Sequence, residues 1–95
     1  MADHEIVTRE VDGISVEIDL TYLRSWEGIS DAARMGNDKA SEVERFVSMG
    51  RYYQGACPNV DDVAAQLSEQ SDEEVAATDV MYFLARAIKD ATPKN

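Results

Sequence analysis

Residues 11–30 read "VDGISVEIDLTYLRSWEGIS" and change rhythm halfway. Up to Leu20 apolar and polar residues alternate; after Thr21 the apolar residues come three and four apart. A period of two marks a half-buried strand, and a period near 3.6 marks a helix. The segment thus runs a strand into a Trp-bearing helix with almost no linker. Upstream, "EIVTREV" is a second alternating run, and Asp12-Gly13 separates the two. An Asp-Gly loop favours a type I′ turn, because Gly accepts positive φ at little cost. In that hairpin Val11 faces Ile14, Arg9 faces Val16, and Val7 faces Ile18. One face is then Val7, Val11, Ile14, Val16 and Ile18, with Arg9 as its only charge; the other carries Thr8, Glu10, Ser15 and Glu17. Two strands alone are marginal in water. The dry face must be covered, and the helix that follows is the expected cover.

Asp19 or Thr21 can cap that helix. Its stripe is Tyr22, Trp26, Ile29 and Ala33, with Leu23 and Ala32 beside it, and Gly36-Asn37 is the stop. A third element runs from Asn37 or Asp38 to Cys57, where Pro58 forces an end. Its stripe is Val43, Phe46, Val47, Gly50, Tyr53 and Cys57, and Gly50 and Gly55 are candidate break points. A short helix opens at Asn59 or Val60 and puts Val60, Val63, Ala64 and Leu67 on one side. "SDEE", from Ser71 to Glu74, has the form of a capping box for a last helix. That helix carries Ala76, Val80, Phe83, Leu84, Ala87 and Ile88, and Thr92-Pro93 ends it. The fold class is therefore α+β and helix-dominated, an N-terminal β-hairpin packed on three or four helices. All 95 residues form one domain, with the hairpin at 5–20, the helical part at 21–92 and a tail at 93–95.

Composition narrows the function. Nineteen acidic residues face nine basic ones, for a net charge of −10. Such a field repels phosphate backbones and anionic lipid, and the basic residues form no block. Neither nucleic acid nor membrane is expected as a partner. No stretch approaches the ~20 apolar residues of a membrane span. Cys57 is the single cysteine, so no internal disulfide can form, which fits a reducing compartment. The opening "MADHEIVTRE" has neither basic n-region nor apolar run, and a cytoplasmic location is expected.

The chemistry-bearing residues are few. His4, the only histidine, lies in the N-terminal tail, away from the fixed geometry a general base needs. Cys57 ends a helix, where carbonyl dipoles oppose a thiolate, so it reads as a small core residue. One Cys and one His do not make a zinc site, and neither Asp61-Asp62 nor Asp72-Glu73-Glu74 has the spacing of a calcium loop. Both acidic clusters read as helix N-terminal charges. No phosphate-binding Gly-rich loop occurs. The expectation is a non-enzyme with no catalytic residue, metal or cofactor.

Apolar residues off the stripes point elsewhere. Met49, Tyr52 and Ala56 lie opposite Phe46 and Val47 on their helix, and Tyr82 and Val75 project away from Phe83 and Leu84. A helix apolar on two faces is either central in its bundle or shared with a partner. Tyr and Met are residues that interfaces favour.

The order of parts also resembles a known family. The strand pair ending in "VEIDLTYLRSWEGISDAARM", the central "VERFVSMGRYYQGA" and the terminal "DVMYFLARAIKDA" are similar to the small tail assembly chaperones of long-tailed bacteriophages and prophages of Gram-positive hosts. The "GACPN" segment, Gly55 to Asn59, departs from that pattern. The resemblance implies a protein of the bacterial host cytoplasm that binds the tape measure protein, keeps its long helices soluble, assists tail-tube assembly and self-associates. Trp26, Met49, Tyr52 and Tyr82 are then the candidate partner-binding residues. A different class fits the charge alone: an acidic adaptor or inhibitor that occupies a basic site on a host enzyme as a nucleic-acid mimic.

Overall fold

A computed structural model describes residues 3–91, in the order β1 (Ile6–Val11), β2 (Ile14–Asp19), α1 (Leu20–Arg24), α2 (Trp26–Met35), α3 (Glu42–Ala56), α4 (Val60–Ser71) and α5 (Ala77–Ala91). The architecture is a two-stranded antiparallel sheet followed by helices. The expected helix end at Thr92-Pro93 and the tail lie outside the described residues.

The hairpin has the register its turn dictates: Val11 opposite Ile14, Arg9 opposite Val16, Val7 opposite Ile18. Asp12 and Gly13 both take positive φ, at 51° and 82°, as a type I′ turn requires. Val11, Ile14, Val16 and Ile18 are buried. Their cover, however, is supplied by α4 and α5 rather than by the next helix in sequence. Val63 of α4 and Val80, Phe83, Leu84, Ala87 and Ile88 of α5 complete the core with them. The α4 and α5 stripes match their 3.6-residue periodicity, except that Ala76 precedes α5 and is exposed.

The helix expected after the hairpin is two helices. Asp19 caps α1, accepting from the Tyr22 N–H at 3.0 Å. Ser25 then takes an extended conformation and serves both helices. Its N–H donates to the Tyr22 carbonyl at 3.0 Å, and its Oγ accepts from the Gly28 N–H at 3.0 Å. The break resets the phase of the stripe. Tyr22 goes inward, while Trp26, Ile29 and Ala33 turn to solvent. Trp26 is 82% exposed, so its reading as part of the core stripe is corrected.

In α3 the expected inner and outer faces are exchanged over the first half. Val43, Phe46 and Val47 are exposed, whereas Ser48 and Ala56 are buried and Met49 and Tyr52 half-buried. The helix passes unbroken through Gly50 and Gly55. Gly55 is there for space: a Cβ would lie 2.6 Å from Tyr22 Cζ and 2.8 Å from Cδ1. Gly28 meets Tyr22 from the other side, where a Cβ would lie 3.0 Å from its carbonyl carbon. Tyr22 is thus the pin that joins α1, α2 and α3. Its hydroxyl donates to the buried Asp31 carboxylate at 2.8 Å. Burial, reinforced by that carboxylate, pushes the phenol well above its ordinary pKa.

The "SDEE" segment does not open a helix. α4 runs on to Ser71, whose hydroxyl donates to the Ser68 and Glu73 carbonyls, and Asp72 ends α4 in a left-handed conformation. Asp72, Glu73 and Glu74 therefore belong to the connection before α5, not to a helix N-terminus. Asp61 and Asp62 do sit in the first turn of α4, as expected.

Candidate partner-binding groove

Two consequences of this packing create a groove. The break at Ser25 lets α2 run back along α3, and α5 lies beside α3 with only light contact. Between them opens a cavity of about 410 Å3. The end of α2 contributes Ala32 and Met35, with Gly36 just beyond. The middle of α3 contributes Met49 and Tyr53, one turn apart. The flank of α5 contributes Thr78, Met81, Tyr82 and Ala85. These α5 residues border the core stripe, so a wide apolar sector serves the interior with one side and the groove with the other.

The lining holds no carboxylate, amine, guanidinium, imidazole or thiol. Three of the four methionines in the chain meet there. Methionine side chains are flexible and polarizable, and they adapt to varied apolar shapes. The Tyr53 phenol is pushed up by burial and by the neighbouring Cys57. The wall of α3 continues past the groove: Phe46, exposed and one turn before Met49, borders Met49 on the helix surface rather than lying opposite it as expected. Tyr82 stands at the rim, 75% exposed. Such an arrangement can hold an apolar or amphipathic segment but offers no group that exchanges protons near neutral pH.

Of the four candidate residues, the groove unites Met49 and Tyr82. Tyr52 is elsewhere: it packs edge-on between Tyr22, at 6.2 Å, and Tyr53, at 5.1 Å between ring centroids. Burial raises its phenol pKa. Trp26 lines a separate, more polar pocket of about 280 Å3 with Glu27, Ser30, Asp31, Arg34 and Arg51. There Arg34 lies 3.9 Å from Asp31. Sequence reasoning passed over Met35 and Met81 and assigned Tyr53 to the core. Their shared signal is position, since each borders a stripe of buried residues rather than opposing it.

His4 contacts the capping carboxylate of Asp19 at 2.5 Å while its ring is half exposed. Cys57 is fully buried, and burial alone pushes its thiol from 9.0 up to about 12. Among the described residues, no three His, Cys, Asp or Glu side chains converge as metal ligands would. No helix of the described residues is long and apolar enough to cross a membrane.

No protein family, no curated protein and no solved structure matches the chain.

Proposed function

We propose that the protein is a tail assembly chaperone of the phage and prophage type. In this reading it binds the tape measure protein and shields its helices until the tail tube forms around them. One observation carries the reading: an open, uncharged groove in which Met35, Met49 and Met81 converge between α2, α3 and α5. An amphipathic helix lays its apolar face into such a groove through contacts spaced three and four residues apart. The net charge of −10 suits a holder that must remain soluble while loaded. The protein acts in this reading by contact and not by catalysis.

Co-expression with the tape measure protein tests it. The wild type keeps the long partner soluble and co-purifies with it. Replacing Met49 with Lys and Tyr82 with Ser places a charge inside the groove and removes its rim, and the complex should be lost while far-UV helicity stays unchanged. Capture that survives in this double variant would refute the groove as the binding surface. Tyr52 is unsuitable for that test, because its ring supports Tyr22 and Tyr53.

A further inference from the structure

The groove leaves Trp26 without a role. Its side chain is exposed and walls the polar pocket, on the flank of α2 away from the methionines. Two rows of α2 line that pocket, Trp26, Ser30 and Arg34 in one and Glu27 and Asp31 in the next, and α3 adds Arg51. Asp31 is fixed by the fold. It is 3% exposed, and its Oδ2 accepts from the Tyr22 hydroxyl, which lies 3.4 Å from the Arg51 carbonyl. Its Oδ1 accepts no hydrogen bond among the described residues. The Arg34 guanidinium stands 3.9 Å away, beyond hydrogen-bond reach. A carboxylate oxygen left without a donor in so buried a side chain needs an explanation. The arginines are under-used as well. Arg34 makes no closer polar contact than that one, and among the described residues the Arg51 guanidinium has neither an ion pair nor a hydrogen bond. This occurs in a chain with 19 acidic residues against nine basic ones.

We infer that this pocket binds an aromatic α-amino acid as its zwitterion, with the ammonium on Asp31 and Glu27, the carboxylate on Arg34 and Arg51, and the ring against Trp26. Charge balance selects that class. Two carboxylates and two guanidiniums line the pocket, so a lone cation meets both arginines and a lone anion meets Asp31 and Glu27. Like charges brought together in this way oppose binding. A lone anion must also approach against the field of a chain with net charge −10. A zwitterion is neutral overall and carries both charges a few bonds apart, so each finds its opposite. The ammonium supplies the donor that Asp31 Oδ1 lacks, while Oδ2 keeps the Tyr22 hydroxyl. A guanidinium fork matches a carboxylate with two parallel hydrogen bonds. The exposed indole offers the ligand ring a stacked or edge-on partner. Size agrees: about 280 Å3 is just below the roughly 300–1,000 Å3 of pockets for drug-sized ligands, which suits a single amino acid. The pocket shares no residue with the Met-rich groove, so this binding stands independently of client capture.

Trp26 is the only tryptophan, so its fluorescence reads the pocket directly. On titration of the full chain with L-phenylalanine, the emission should move to the blue and saturate, with a Kd no weaker than about 1 mM. Phenethylamine keeps the ring and the amine, and 3-phenylpropionate keeps the ring and the acid. Each lacks one charge, and each should bind at least about tenfold more weakly, the loss of one charged hydrogen-bonding group. Arg51→Gln removes a side chain that supports nothing in the fold and should weaken phenylalanine by about the same factor, with an unchanged far-UV spectrum. Arg34→Gln is the second variant, with the same expectation, and decides if Arg51→Gln disturbs the helix. An emission that phenylalanine does not move overturns the inference. Equal binding of the amine or the acid alone overturns it too, as does full affinity in a folded arginine variant.

Discussion

Replacing Gly55 with Ala tests the claim that Tyr22 pins three helices together. On helix propensity alone the change stabilises a helix interior by about 1 kcal/mol. The structure predicts the opposite sign. The new Cβ would lie 2.6 Å from Tyr22 Cζ and 2.8 Å from Cδ1, inside any real carbon–carbon contact. The ring has no easy retreat. Its hydroxyl is held by Asp31 at 2.8 Å, Tyr52 packs against it, and Gly28 closes the other side. Overpacking of this kind costs about 1–3 kcal/mol, occasionally more. With the ring held on every side the cost falls in the upper part of that range, about 2–3 kcal/mol, so against the gain in propensity the net destabilisation is about 1–2 kcal/mol, a fall in Tm on the order of 5–15 °C for a domain of this size. Gly50→Ala is the control within the same helix. Nothing lies within 4 Å of a Cβ there, so propensity acts alone and Tm should rise by a few degrees. Thermal melts followed by far-UV circular dichroism read both variants. A Gly55→Ala protein as stable as the wild type, or two alanines acting in the same direction, would refute the reasoning.

Asn59→Ala removes the paired hydrogen bonds to Ser15 and Glu17 at the β2 edge, and at a net of about 0.5–1.5 kcal/mol each it should cost about 1–3 kcal/mol in urea denaturation; an unchanged midpoint would show that water replaces the carboxamide freely. Alkaline pH should weaken the fold from about 9 upward. The native state keeps the Cys57 proton up to about 12 while the unfolded chain begins to lose it near 9.0. Above that pH the unfolded state binds fewer protons, so stability falls as pH rises, and Tyr22, Tyr52 and Tyr53 extend the loss at higher pH. Urea midpoints at successive pH values check this, and in Cys57→Ala the fall should begin only when the tyrosines titrate. The same thiol should be inert to an aromatic disulfide reagent in the folded protein and reactive in urea, since it is fully buried.

The hairpin and the last helix were legible because local rules settle them. Asp12-Gly13 fixes a turn, the turn fixes a register, and the register assigns faces to Val7, Val11, Ile14, Val16 and Ile18. Val80, Phe83, Leu84, Ala87 and Ile88 form one continuous stripe at helical spacing, and all five are buried. The α2–α3 region was not legible for the converse reason. Ser25 can sit within a helix or cap one, and the choice turns on a long-range fit between Gly28, Gly55 and the Tyr22 ring that no spacing encodes. Once the helix breaks there, Trp26 and Ile29 leave the core, and α3 turns Val43, Phe46 and Val47 outward. "SDEE" met a similar conflict: Ser71 fits a capping box, but its hydroxyl bonds back to Ser68 and on to Glu73, at the end of α4. For the candidate site, Met49 and Tyr82 were legible as apolar residues off their stripes. Met35, Met81 and Tyr53 were hidden, because a residue bordering a buried stripe looks like part of it until the neighbouring helices are placed.

Methyl NMR of the methionines tests the central claim most directly, because Met35, Met49 and Met81 line the groove and report on its occupancy. On titration with helical fragments of the tape measure protein, the methyl signals of these three residues should shift together and saturate, and Met49→Lys should abolish the response. Binding that leaves all three unmoved would contradict the account.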